Sequence, residues 1–142
     1  MNLASRETAF VALFNLVSGI SGIKQCTRRL QHWADIPPEE LPALYMQHTG
    51  ETHNPSRGLP DKIVLEVSLW LYVRSEELAV GPILNPILDA IGRAFVPSIT
   101  GENTLTLGGV VHHCWIEGQI QIFEGDLGDE AVAVVPLKIL VS

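Results

Sequence analysis

The chain is short of positive charge. Nine Lys and Arg face sixteen Asp and Glu across 142 residues, a formal net charge of −7. That balance excludes a phosphate-driven nucleic-acid footprint, which needs a basic face. Cysteine is almost absent: Cys26 and Cys114 cannot make a disulfide framework and read as free thiols in a reducing compartment. Long hydrophobic runs are missing as well. The longest uncharged stretch, Thr8 to Ile23, contains Asn15, Ser18, Gly19, Ser21 and Gly22, and it falls short of the roughly 20 apolar residues of a membrane span. Glu7 beside Arg6 spoils its likeness to a signal peptide. Charged residues of all kinds are only 18%.

What is present is apolar: 46% of the residues, a folded composition. With so little charge to cover the surface, part of that apolar material is expected to meet a partner. Phe10, Leu13, Phe14 and Val17 recur at helical spacing, with Ser5 as N-cap and Gly19 and Gly22 beyond the end. A helix over residues 5–18 follows. Residues 23–33 alternate weakly and read as a strand; Asp35-Ile36-Pro37-Pro38 is a turn. Residues 42–47 read as a short strand, at an edge because of Pro42.

Residues 49–61 are dense in turn formers and poor in anything to bury, so they are expected to form a long mobile loop. From Lys62 to Arg74 the alternation is strict. Ile63, Leu65, Val67, Leu69, Leu71 and Val73 share one face, and Val64, Glu66, Ser68, Trp70, Tyr72 and Arg74 the other. A second helix is expected over about 82–95, entered through Asn85-Pro86 and stopped by Pro97, with Leu84, Leu88, Ile91 and Phe95 on one stripe. Residues 110–122 alternate as a strand, and residues 131–141 are apolar on both faces, the mark of a covered strand. Between them lies an acidic hairpin turn, 124–130. The order gives a single α+β domain over 1–142: a sandwich of a mostly antiparallel sheet with two helices on one face. Its core is expected to use Phe10, Leu13, Phe14, Leu65, Val67, Leu69, Leu88 and Ile91.

Chemistry is sparse. There is no phosphate loop, no nucleophile elbow and no paired-cysteine zinc spacing; Gly108-Gly109 reads as a bend. His112 and Cys114, two apart on one strand face, could serve a thiol enzyme or a zinc site. Two groups do not complete either one, and His32, His48, His53 and Cys26 have no short spacing to them. No catalytic, metal or cofactor residue is therefore assigned. The candidate contact residues are the basic pair Arg28 and Arg29, the mix of Trp70, Tyr72 and Arg74 on the less apolar strand face, and the acids Glu124, Asp126, Asp129 and Glu130.

The order of short motifs carries a further signal. After the N-terminal helix come Arg28-Arg29-Leu30, His32-Trp33, Asp35-Ile36-Pro37 and Pro42-Ala43-Leu44. A strand ending Leu71-Tyr72-Val73 follows, then Leu84-Asn85, Leu88-Asp89-Ala90-Ile91 and Thr106-Leu107-Gly108-Gly109. The last are Gly125-Asp126-Leu127-Gly128-Asp129 and Val135-Pro136-Leu137. Over nearly its whole length the chain resembles the tail terminator, or tail completion, proteins of long-tailed bacteriophages. The resemblance implies a virion structural protein and not an enzyme: a hexameric ring at the head-proximal end of the tail, assembled in the host cytoplasm. Such a ring stops addition of tube subunits and presents a surface to head-completion or connector proteins. Its partners are then copies of itself, the tube protein and the connector, with no membrane and no sequence-specific nucleic acid. The alternatives are a small enzyme built on His112 and Cys114, or another neck or tube protein of similar fold.

Overall fold

The computed structural model describes residues 5–75, 79–97, 104–127 and 130–141. Helix α1 spans Arg6–Ser18. The Thr8 amide donates to Ser5 Oγ at 3.1 Å, and the Gly19 amide closes the far end on the carbonyls of Leu16 and Val17. Its buried face is Ala9, Phe10, Leu13 and Val17. Phe14 is only partly buried, so the stripe is turned from the expected one toward Ala9.

Strand β1 is Gln25–Thr27, β2 Ala43–Ser56 and β3 Leu59–Arg74. Helix α2 is Gly81–Ala94, followed by β4 (His113–Ile116), β5 (Gln121–Leu127) and β6 (Glu130–Leu140). The sheet runs β1-β2-β3-β6-β4, with β5 also on β6. Only β1 and β2 are parallel; the other pairs are antiparallel. The strand apolar on both faces, β6, is central, between β3 on one side and β4 and β5 on the other. This is an α+β sandwich with both helices on one sheet face.

Five local expectations are corrected. The expected strand over 110–122 is two, β4 and β5, and β5 runs on to Leu127 through much of the expected acidic turn over 124–130. The expected loop over 49–61 is a hairpin. β2 and β3 stay paired out to Ser56 and Leu59, and Gly58, at φ 77°, turns the chain. Turn-forming residues dominate this stretch, but cross-strand pairing needs only backbone groups, which composition does not reveal. The expected strand over 23–33 is three residues long; the rest leads into short 3₁₀ turns at Trp33–Asp35 and Pro38–Glu40. β2 is no edge at Pro42, because β1 flanks its first residues and the Lys24 amide donates to the Pro42 carbonyl at 2.8 Å. Helix α2 starts a turn earlier than Asn85-Pro86, with Pro82 in its first turn and Pro86 inside. Pro86 forfeits one bond to the Pro82 carbonyl, and Pro82 is exposed, where water can serve that group.

Inner-face residues of the sheet are the ones expected. Leu65, Val67, Leu69, Leu71 and Val73 of β3 meet Ala131, Ala133, Val135, Leu137 and Ile139 of β6. The helices complete this layer with Leu13, Val17, Leu84, Ile87 and Ile91, while Leu88 is only partly buried. Ile87 takes its place, and it lies so close to the chain leaving α1 that a Cβ on Gly22 would stand 3.3 Å from Ile87 Cγ1. At φ 92°, Gly22 makes a crossing that a larger residue would strain.

Candidate assembly surface

The outer face of the sheet has two ends of different character. Register places Ala43, Tyr72, Val132 and Phe123 in one row across β2, β3, β6 and β5, and Tyr45, Trp70, Val134 and Gln121 in the next. The segment after β1 folds back over part of these rows. Leu30, Ile36 and Leu41 pack on Ala43, Tyr45, Tyr72 and Val132, a second, smaller core. Tyr72 donates its hydroxyl to the Gln31 carbonyl at 3.2 Å, and Trp70 donates its indole N–H to Gln47 Oε1 at 2.9 Å. Tyr72, a candidate anchor for a partner, is thus spent inside the chain. Trp70 is half-buried beside Val134. The row's far end is open: Phe123 is 42% exposed, and Ile122, on the inner side of the same strand, 47%.

At the opposite end the outer face is polar. Lys138 lies 3.3 Å from Glu66 and 3.1 Å from Glu117, and Thr52 and Trp115 donate to the same two carboxylates. The hydrogen bonds that the Lys138 ammonium donates to Glu117 and Glu66 hold it above its ordinary range. His113 stacks on Trp115 with ring centroids 4.9 Å apart.

The candidate charges disperse. Arg28 grips Glu7 of α1 through two bonds of 2.7 and 2.9 Å and lies over the Phe10 ring. Its hydrogen bonds hold the Glu7 carboxyl below the usual range. Arg29 is exposed. Arg74 and Glu130 face each other across β3 and β6, and Arg74 Nε and Glu130 Oε2 are buried without a hydrogen bond. Burial pushes the Glu130 carboxyl up against the opposing pull of Arg74. Glu124 is exposed on β5. Asp126 lies on β5, and Asp129 falls outside the described residues.

A second ionic knot was not visible in sequence. Arg6 holds Glu51 in a two-bond grip, 2.7 Å each, and His53 Nε2 lies 2.6 Å from the same carboxylate. These bonds lower Glu51 to about 2 and tie the start of α1 to the β2–β3 hairpin. Its partners are 45 and 2 residues away in sequence, so only the His53 half had a local signal.

The thiol pair does not form. Cys114 is fully buried on the inner face, and burial pushes its thiol up to about 12. His112 is exposed and precedes the strand. A thiol so far from ionisation is a poor nucleophile or ligand. Among the described residues no cluster of three His, Cys, Asp or Glu could hold a metal. An open groove of about 450 Å³ between the last turns of α1 and α2 is lined by Leu16, Ile20, Ala90, Ala94 and one charged residue, Arg93.

Solved structures share this architecture, among them a chain of the virion of a native gene transfer agent particle, with a TM-score of 0.56 over 96% of this chain and 98% of that one, at 12% identity. Identity so low shows a shared fold. No family model and no curated protein matches the chain. No helix among the described residues is long and apolar enough to cross a membrane.

Proposed function

We propose that the chain is a structural subunit of a phage-like virion, acting as a tail terminator: a ring that caps the tail tube, stops its growth and offers its free face to the head connector. The observation that carries this reading is the end-to-end likeness to a virion chain, which agrees with the order of sequence motifs from Arg28-Arg29-Leu30 to Val135-Pro136-Leu137. The surface supports it. Apolar side chains stand exposed on β5, and the Cys114 thiol is sealed in the core. The ring is a homo-oligomer, a hexamer by the resemblance, with the tube protein on one face and the connector on the other. The β2–β3 hairpin is the element proposed to order further against a neighbour or the tube.

Negative-stain imaging with mass measurement at micromolar concentration tests this. Closed rings of one size are expected. Unlimited filaments would reassign the chain as a tube protein, and a strict monomer would remove the terminator reading.

A further inference from the structure

Among the described residues, two longer stretches of strand edge have no strand beside them, on opposite sides of the sheet. On one side, β1 covers only Ala43, Leu44 and Tyr45 of β2. From Met46 to Ser56 the outer edge of β2 has no strand beside it among the described residues. On the other side, β5 pairs with β6, and among the described residues no strand lies along its far edge. The neighbouring β4 is different: its Cys114 amide donates to the Leu105 carbonyl at 2.9 Å, and a loop covers that edge.

Open edges are ordinarily blunted by proline, lysine or a bulge, because they add strands from other chains. β5 (QIFEGDL) has neither proline nor lysine, pairs regularly over Gln121–Glu124 before a register shift, and carries the exposed Ile122 and Phe123; on β2, Pro55 and the register shifts at His48/Gly50 and Asn54/Ser56 leave Gly50–Asn54 as the regular part of the open edge. Charge adds direction. Glu124 is exposed on β5 and Asp126 follows it, while Arg57 and Lys62 are exposed at the β2–β3 hairpin, with Asp61 the one acid between them. We infer that copies of this chain join head to tail by strand addition, the open edge of β5 in one copy pairing with the open Met46–Ser56 edge of β2 in the next. The inference rests on the ring reading for the identity of the partner, and it specifies the contact. Two unlike edges, one per flank, meet the requirement of a heterologous interface that closes into a ring. Phe123 then lies beside the neighbour's β2 and loses its exposure, and main-chain bonds supply the affinity that rim charges do not.

The test uses two full-length variants. Phe123→Lys blocks the β5 edge. Thr49→Pro blocks β2 at the register shift between His48 and Gly50, where Thr49 has no partner on β3. Each variant alone should fail to form rings while keeping a cooperative melt. Mixed in equal amounts they should give a discrete dimer, since each retains the edge the other lacks. Amide exchange on the wild type is the second measurement, independent of variants: assembly should raise protection at least tenfold in 46–56 and 121–127. If wild-type rings form without that protection, or form from either folded variant, strand addition is overturned while the ring reading stands. A wild type that never associates overturns both.

Discussion

The two faces of the sheet are built to different depths. The inner face is a continuous apolar layer under two helices, in which every odd-numbered residue of β6 from Ala131 to Ile139 is buried. The outer face is covered at one end by an irregular segment with three apolar anchors, crossed at the other by a lysine between two carboxylates, and open at β5. The inner face holds the fold together, and the outer face and the β5 strand carry the exposed large apolar side chains Phe123 and Ile122. The lesson is that a chain with 18% charge need not display a hydrophobic pocket. It can expose its excess apolar material along a strand edge, where backbone groups also lack partners.

The sharpest way to break this contrast is one residue on each side of β3. Val67→Asp places an unpaired charge in the inner layer and should abolish cooperative folding, a loss of several kcal/mol or more. Ser68→Asp, its half-buried outer-face neighbour facing Gln47 and Pro136, should melt within a few degrees of wild type by circular dichroism. Next in size is Cys114→Ser, which buries a hydroxyl in an apolar layer and should cost about 1–2 kcal/mol in denaturant titration. Native Cys114 should resist alkylation at pH 8. Cys26, pushed up only to about 11 and half-buried, should react first as the pH is raised, with both thiols reacting freely after unfolding.

The outer core offers a finer comparison. Tyr45 and Tyr72 meet edge-on at 5.5 Å, but Tyr72 has the Gln31 carbonyl and the Tyr45 hydroxyl is buried with no partner. Tyr72→Phe should lower stability by about 1 kcal/mol, whereas Tyr45→Phe should leave it unchanged or raise it. The smallest effect belongs to the surface. Glu51 sits at about 2 in the folded chain against an ordinary value of 4.5. Its contribution is therefore complete above about pH 4.5 and fades as pH falls toward 2. Glu51→Gln should flatten that part of the acid-melting profile by lowering the melting temperature slightly at neutral pH, where the grip is intact, and leaving it nearly unchanged near pH 2.

Elements with a strong apolar period were legible in sequence. Val67, Leu69 and Leu71 were placed inward by alternation, β6 was read as a covered strand by being apolar on both faces, and α1 was capped by Ser5 as its side chain suggested. What failed has one physical root: backbone pairing and long-range contacts leave little trace in residue type. The β2–β3 hairpin is rich in Asn, Pro, Ser and Gly yet paired, and Asn85-Pro86 carries a cap signal that an earlier helix start overrides. Arg28 was a candidate for contact with a partner because its charge had no obvious local match. The fold brings Glu7 within 2.7 Å of it. Phe123 went unremarked because a single aromatic next to acids has no period at all.

The central seam of the sheet has a consequence for how the chain is made. β3 and β6 lie side by side, yet Glu66 and Lys138, bonded across them, are 72 residues apart in sequence. No local hairpin can close that seam, so loop-closure entropy must be overcome before the pairing stabilises anything. While the chain is being synthesised, β2 and β3 can zip together early through their short turn at Gly58. The other edge of β3, lined by its strongest apolar face, then waits for β6. For that interval the nascent protein carries an open edge of the kind that captures a stray strand, and mispairing at β3 is the failure expected when expression outpaces folding.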